Sequence, residues 1–257
     1  MVTSDLPYRI QTSAGHRKYL CSGIYMPSVT TVLSATESEK SKAGLRNWQK
    51  NNPGALEAAS TRGSAIHLGC ENYLRGLDPG VPEDYLDFWN GMSPYLDWFD
   101  TIHWSERPLR PDWNHLRSED REVAFVWSTE HRYAGCPDLI GEIGGVRVIA
   151  DFKTSNAPYC ASFPDRGDRI GFGGYRKYTK CAQQMAAYRY ALNERTGFLC
   201  EAALIIVSTP ETTQGIFIDG DQLALHESRF LKRCQQFHEI DNETTDCSTQ
   251  KLQEQAK

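Results

Sequence analysis

The chain has no apolar run approaching the roughly 18 residues that cross a bilayer, so the sequence predicts no membrane-spanning helix. Met1 to Ile10 hold no continuous apolar stretch, and no secretory signal is expected there. The eight cysteines, at positions 21, 70, 136, 160, 181, 200, 234 and 247, include no CxxC pair. That spacing argues against a zinc site and against the clustered ligands of an iron–sulfur centre. A disulfide scaffold is not expected at this length either, which leaves reduced thiols in a soluble intracellular protein. Positive charge is also short, with 28 Lys and Arg against 33 Asp and Glu and a net charge of −5. Non-specific nucleic-acid binders usually present a basic surface, so such a function here requires a local basic patch. No internal repeat or low-complexity block is visible.

What is present fits one α/β domain over residues 1–257, with a polar, frayed tail from about 241. Residues 16–33 read as a hairpin turning at Ser22-Gly23 and leading into a helix. Residues 55–75 read as a helix bent near Gly63. Residues 83–102 carry Leu86, Trp89, Leu96 and Phe99 at helical spacing, with Pro94 placed to kink or divide them. From about 120 the pattern turns to strands, with Val123, Phe125 and Trp127 alternating. Runs at 136–143 and 146–152 flank Gly144-Gly145. A Gly- and Pro-rich loop is expected over 156–174, a helix over 177–195, a buried strand over 200–209 and an amphipathic helix over 221–240. The expected architecture is a central mixed sheet, made of the 120–152 strands and the 200–209 strand, with helices on its faces.

The segment from Cys136 to Ser155 carries the chemistry. Gly-Gly suits a two-residue hairpin turn because both positions accept positive φ. With 144 and 145 as the turn, Ile143 faces Val146, Glu142 faces Arg147, Ile140 faces Ile149 and Asp138 faces Asp151. The last pair sets like charges opposite one another, which destabilises a sheet unless a cation lies between them. Lys153, two residues beyond Asp151, leaves the same face. Two carboxylates and an ammonium suit phosphodiester hydrolysis. The carboxylates would hold Mg²⁺ or Mn²⁺, and the lysine would orient or deprotonate water or stabilise the transition state. Alone, the hairpin is equally compatible with a solvated turn bearing two unrelated aspartates.

Further features narrow the reading. Pro137-Asp138, twelve intervening residues and Asp151-Phe152-Lys153 follow a GSAIH segment, with His67 and Glu71 on one helical face. Gln184 and Tyr188 lie downstream, and MPSVTTVLS lies near the start. In this order, from about residue 26 to 208, the set resembles the PD-(D/E)XK nucleases and their RecB-like branch. Within that branch it is similar to the mitochondrial genome maintenance exonucleases and their phage-encoded relatives. The resemblance implies a restriction-endonuclease-like core. It also implies catalytic Asp138, Asp151 and Lys153, with metal ligation by His67, Asp138, Asp151 and the Phe152 carbonyl. Gln184 and Tyr188 would position DNA, and Glu122 resembles a recurring family glutamate. Glu71 is open as a ligand, a partner of His67 or a plain helix-surface charge, and both glutamates are candidates for a place behind the metal ligands. Many RecB-like relatives carry an iron–sulfur cluster. The cysteine spacing here predicts none.

The required basic patch falls between residues 153 and 180, where six Lys or Arg meet two Asp. Tyr159, Phe163, Phe172, Tyr175 and Tyr178 are interleaved with them. Cations that track phosphates beside rings that stack on bases are typical of single-strand binding, which nominates Tyr175, Arg176, Lys177 and Lys180. Lys40, Lys42, Arg46 and Lys50 add charge with no acid among them. The expectation is an Mg²⁺- or Mn²⁺-dependent DNA exonuclease, favouring single strands, in the cytoplasm of a bacterial or phage-infected cell. Replication or recombination proteins are candidate partners, and no membrane is involved. A double-strand exonuclease, a structure-specific endonuclease and a non-catalytic DNA-binding accessory protein are the alternatives.

Overall fold

The structure, a computed structural model, describes residues 8–11, 17–21, 23–105, 107–108 and 125–255. In chain order, β1 (Tyr8–Gln11), β2 (Arg17–Cys21) and β3 (Ile24–Pro27) form an antiparallel sheet. Next come α1 (Val29–Ala35), α2 (Glu39–Asn51), α3 (Ala55–Leu74), a short 3₁₀ turn and α4 (Leu86–Leu96). The strands β4 (Thr101–Ser105), β5 (Arg107–Pro108), β6 (Val126–Ser128), β7 (Tyr133–Gly135), β8 (Leu139–Ile143) and β9 (Val146–Thr154) follow. The chain continues through α5 (Arg169–Thr196), β10 (Ala202–Ser208), β11 (Thr213–Ile218) and α6 (Gly220–Gln255).

The central sheet is mixed and six-stranded, in the order β11-β10-β9-β8-β4-β5. Its middle is the predicted hairpin. Gly144 and Gly145 adopt φ of 57° and 78°. The pairs Ile143↔Val146, Glu142↔Arg147 and Ile140↔Ile149 form as the turn dictates. β9 then runs parallel to β10, with Asp151 beside Ile205. Helices cover both faces, so β10 reads as an unbroken apolar run, as strands buried on two sides do.

Alternation along β9 sorts its side chains between two cores. Ile149 joins Ile140, Trp104 and Ile205 under α5, α6 and α1. Val148, Ala150 and Phe152 join Leu139 and Ile206 under α3 and α4. By the same parity Asp151 and Lys153 face α5. A third cluster, with Tyr19, Met26, Phe125 and Trp127, joins the β1–β3 sheet to a separate β6–β7 ribbon.

Several sequence expectations need correction. β6 and β7 pair with each other, not within the central sheet. Val123 and Glu122 lie outside the described residues. α3 runs without interruption through Gly63, since one glycine does not break a helix whose neighbours favour it. The 83–102 segment is a 3₁₀ turn and α4, and the chain enters β4 at Thr101. Pro94 falls in the last turn of α4, where one lost N–H leaves the helix undivided.

The 156–174 loop is shorter than expected because α5 begins at Arg169. Asp168 caps it, accepting from the Gly171 N–H at 2.8 Å. Gly174 marks close approach, not loop: a Cβ there would stand 2.9 Å from the Pro158 carbonyl oxygen. The tail expected to fray from about 241 continues α6 to Gln255. It is polar but holds neither Gly nor Pro, and polarity alone does not end a helix.

Candidate active site

The two cores meet at the end of β9, and the nominated residues gather there. Trp104 of β4 donates its indole N–H to the Pro137 carbonyl at 3.0 Å, which pins the turn entering β8. The β8–β9 ladder ends at Leu139↔Ala150, one step short of the aspartates. Asp138, freed from the ladder, accepts the Phe152 N–H on Oδ2 at 2.8 Å. From α3, His67 sets Nδ1 3.5 Å from Asp138 Oδ1 and Nε2 2.9 Å from the Phe152 carbonyl oxygen. His67 therefore bridges the acidic hairpin and the helix above it.

Asp151 is fully buried, and protein donors meet both of its oxygens. Gln184 Nε2 donates to Oδ1 at 3.0 Å, and the Cys181 thiol donates to Oδ2 at 2.9 Å. Lys153 forms an ion pair with the same Oδ2. Burial pushes the Asp151 carboxyl above its usual range, and Asp138 adds to this, while Lys153 opposes it. Burial pulls the Lys153 ammonium down, but Asp151, Cys181 and Asp138 together carry it above its ordinary value. Lys153 is thus held charged.

Tyr188, one turn past Gln184, lies 3.3 Å from the Gln184 amide and is 4% exposed. Its ring rests where a side chain on Gly135 would be. Gln184 and Tyr188 both line the cleft, and Gln184 also reaches Asp151. Glu71 pairs with Arg75 at 2.9 Å, and it lines the site cleft one turn beyond His67. Glu122 is outside the described residues. Cys181 escaped the sequence reading. Its only signal was a place three residues before Gln184 on the same helix face.

The cleft over this centre has a volume of ≈ 590 Å³ and is lined by His67, Asp138, Lys153 and Gln184, with Ser60, Ser64 and Cys136. A second groove, ≈ 440 Å³, runs between α2 and the start of α5. Lys42, Arg176, Lys177 and Lys180 line it, with Glu37 among them. Lys177 donates to Ser155 at 3.0 Å, Lys180 to Ser34 at 3.3 Å, and Arg176 lies 3.6 Å from Glu37. Burial lowers the ammoniums of Lys177 and Lys180 below their usual range. Tyr175 packs against Phe163, which is 71% exposed, at 5.3 Å between centroids. Tyr178, in contrast, is buried in the main core.

Among the described residues, no group of three or more His, Cys, Asp and Glu stands together ready to hold a metal ion. The donors at the hairpin do fit one chemically. Asp138, Asp151 and the Phe152 carbonyl are hard oxygen ligands of the kind Mg²⁺ and Mn²⁺ take, and the His67 imidazole is a softer nitrogen beside them. Among the described residues no helix is long and apolar enough to cross a membrane.

A mixed sheet flanked by helices, with a carboxylate–lysine centre at the end of its middle hairpin, defines an α/β protein of the restriction-endonuclease-like kind. A family profile for the PD-(D/E)XK nuclease superfamily matches residues 40–251, and the chain belongs to that superfamily. No curated protein matches the chain.

Proposed function

We propose that the protein is a divalent-metal-dependent deoxyribonuclease, and more narrowly an exonuclease acting on single-stranded DNA. The observation that carries this reading is the convergence of His67, Asp138 and Lys153 at one cleft, with the Phe152 carbonyl and the buried Asp151 in contact with them behind its lining. These five come from α3, the approach to β8, and β9. The RecB-like affinity rests on the order of the His, PD, DxK and QxxxY motifs.

Asp138, Asp151, the Phe152 carbonyl and His67 would hold Mg²⁺ or Mn²⁺, which supplies Lewis-acid charge against the scissile phosphate. Lys153, kept charged by Asp151, would offer its ammonium to the phosphate oxygens as negative charge grows on them, a role in electrostatic stabilisation. Gln184 and Tyr188 would keep Asp151 in orientation. Lys42, Arg176, Lys177 and Lys180 would neutralise the DNA backbone in the groove beside the cleft, with Tyr175 and the exposed Phe163 available to stack on bases. The acidic whole and the basic groove are compatible, because four cations against the one acid Glu37 leave the groove lining net positive, and local positive charge concentrates an anionic ligand.

The test is a 5′-labelled single-stranded oligonucleotide with Mg²⁺, Mn²⁺ or EDTA, run beside Asp151→Ala. Metal-dependent degradation that the variant lacks is the expected result. Cleavage of covalently closed circles would replace the exonuclease reading with an endonuclease. DNA binding with no cleavage of any linear or circular DNA under either metal would leave an accessory role.

A further inference from the structure

We propose that Cys181 is a positioning residue for Asp151, its thiol holding the Oδ2 oxygen while Gln184 holds Oδ1. The inference rests on the nuclease reading of Asp151.

Asp151 has no exposed surface, so bulk solvent does not fix its carboxylate. Rotation about the last side-chain bond of an aspartate is soft, and donors on the protein must choose its orientation. Two of them come from one face of α5. Cys181 and Gln184 stand three residues apart, with Sγ 2.9 Å from Oδ2 and Nε2 3.0 Å from Oδ1. The third donor, Lys153, sits on the same strand as Asp151 and reaches Oδ2 through a long flexible stem. Gripping each oxygen from a packed helix sets the plane of the carboxylate. A charged stem on the same strand does not.

Cys181 is well placed to act this way. It is buried in the main core, in the cluster that also holds Tyr178 and Ala182, so its own position is fixed by packing. It must donate, because a thiolate there would set a second negative charge against a carboxylate. Supporting hydrogen bonds of this kind keep ligating side chains in productive geometry.

The experiment compares wild type, Cys181→Ala, Cys181→Ser and Cys200→Ala with saturating Mn²⁺ on a single-stranded oligonucleotide. Cys200 is an equally buried thiol of the same core and controls for the loss of a packed sulfur. Cys181→Ala is expected to lower kcat by about tenfold or more with KM unchanged, the worth of one hydrogen bond to a charged acceptor. Cys181→Ser, which keeps a donor, restores most of the rate, and Cys200→Ala leaves it unaltered. A serine variant as slow as the alanine variant, or an alanine variant with wild-type kcat, overturns the proposal.

A second readout needs no activity. In the metal-free protein the infrared S–H stretching region should hold one band lowered in frequency by the carboxylate. That band should vanish in Cys181→Ala and move in Asp151→Asn. Its absence also overturns the proposal. A wild type that cleaves nothing overturns the nuclease reading instead, and the infrared band then still decides whether the thiol holds Asp151.

Discussion

Lys153 and Asp151 depend on each other. The carboxylate is buried at a desolvation cost that the ammonium offsets in part, and the carboxylate keeps that ammonium charged. Lys153→Ala should therefore reduce cleavage by about 100- to 1,000-fold, the usual loss when one charge-stabilising donor is removed. Mn²⁺ and DNA binding should persist, measured by calorimetry and fluorescence anisotropy. Circular dichroism showing an unfolded variant would instead assign Lys153 a structural role. A different pH response belongs to the groove. Burial holds Lys177 and Lys180 below the usual lysine range, so they lose protons before other lysines as pH rises. The unfolded chain binds those protons more tightly, so their charged forms cost stability, and that cost lifts between the lowered values and 10.5. DNA prefers the charged forms. Oligonucleotide affinity should thus weaken on the alkaline side below pH 10.5, where most exposed lysines are still charged, and Lys177→Met/Lys180→Met should remove that dependence.

At the scale of elements, α5 is the organiser. Its first half lines the basic groove, Cys181 and Gln184 hold Asp151, and Tyr188 covers Gly135. Gly135→Ala should force the Tyr188 ring aside at a cost of about 1–3 kcal/mol, the usual penalty of overpacking. Urea denaturation would measure it, and a variant as stable as the parent would show that the ring has room. The same helix explains where the sequence was legible. The Gly144-Gly145 hairpin could be read pair by pair as far as Leu139↔Ala150, because turn geometry fixes register locally, but the expected Asp138–Asp151 pair does not form in the ladder. The start of α5 could not, because Gly171 and Gly174 read as loop until the 158–168 segment packed against them is known. β11 was hidden too: Thr213–Ile218 carries a glycine, where the Tyr95 ring approaches, and lacks a long apolar run. In the site, His67, Asp138, Asp151 and Lys153 stood in recognisable motifs. Cys181 gains its meaning only from the parity that turns Asp151 toward α5.

For the whole molecule, a net charge of −5 coexists with a groove whose described lining holds Lys42, Arg176, Lys177 and Lys180. Binding should therefore be local and strongly salt-dependent. For single strands each neutralised phosphate contributes a slope of about −0.7 in log affinity against log salt, so full engagement of these cations gives about −3. Titrations of a labelled oligonucleotide across salt concentrations would measure it. A slope near zero would place the DNA elsewhere.

The length of α5 also sets a rule of rotational phase. One continuous helix carries groove cations, the Asp151 donors and the ring over Gly135, so their bearings around its axis are locked to one another. A residue inserted after Lys180 would swing everything beyond it by about 100°, turning Cys181, Gln184 and Tyr188 away from the hairpin while the groove stayed in place. An insertion in the loop before Asp168 changes no bearing, and even doubling a loop costs only about 0.6 kcal/mol of closure entropy. Length variation is therefore tolerable in the loop before Asp168 and ruinous inside α5 after Lys180.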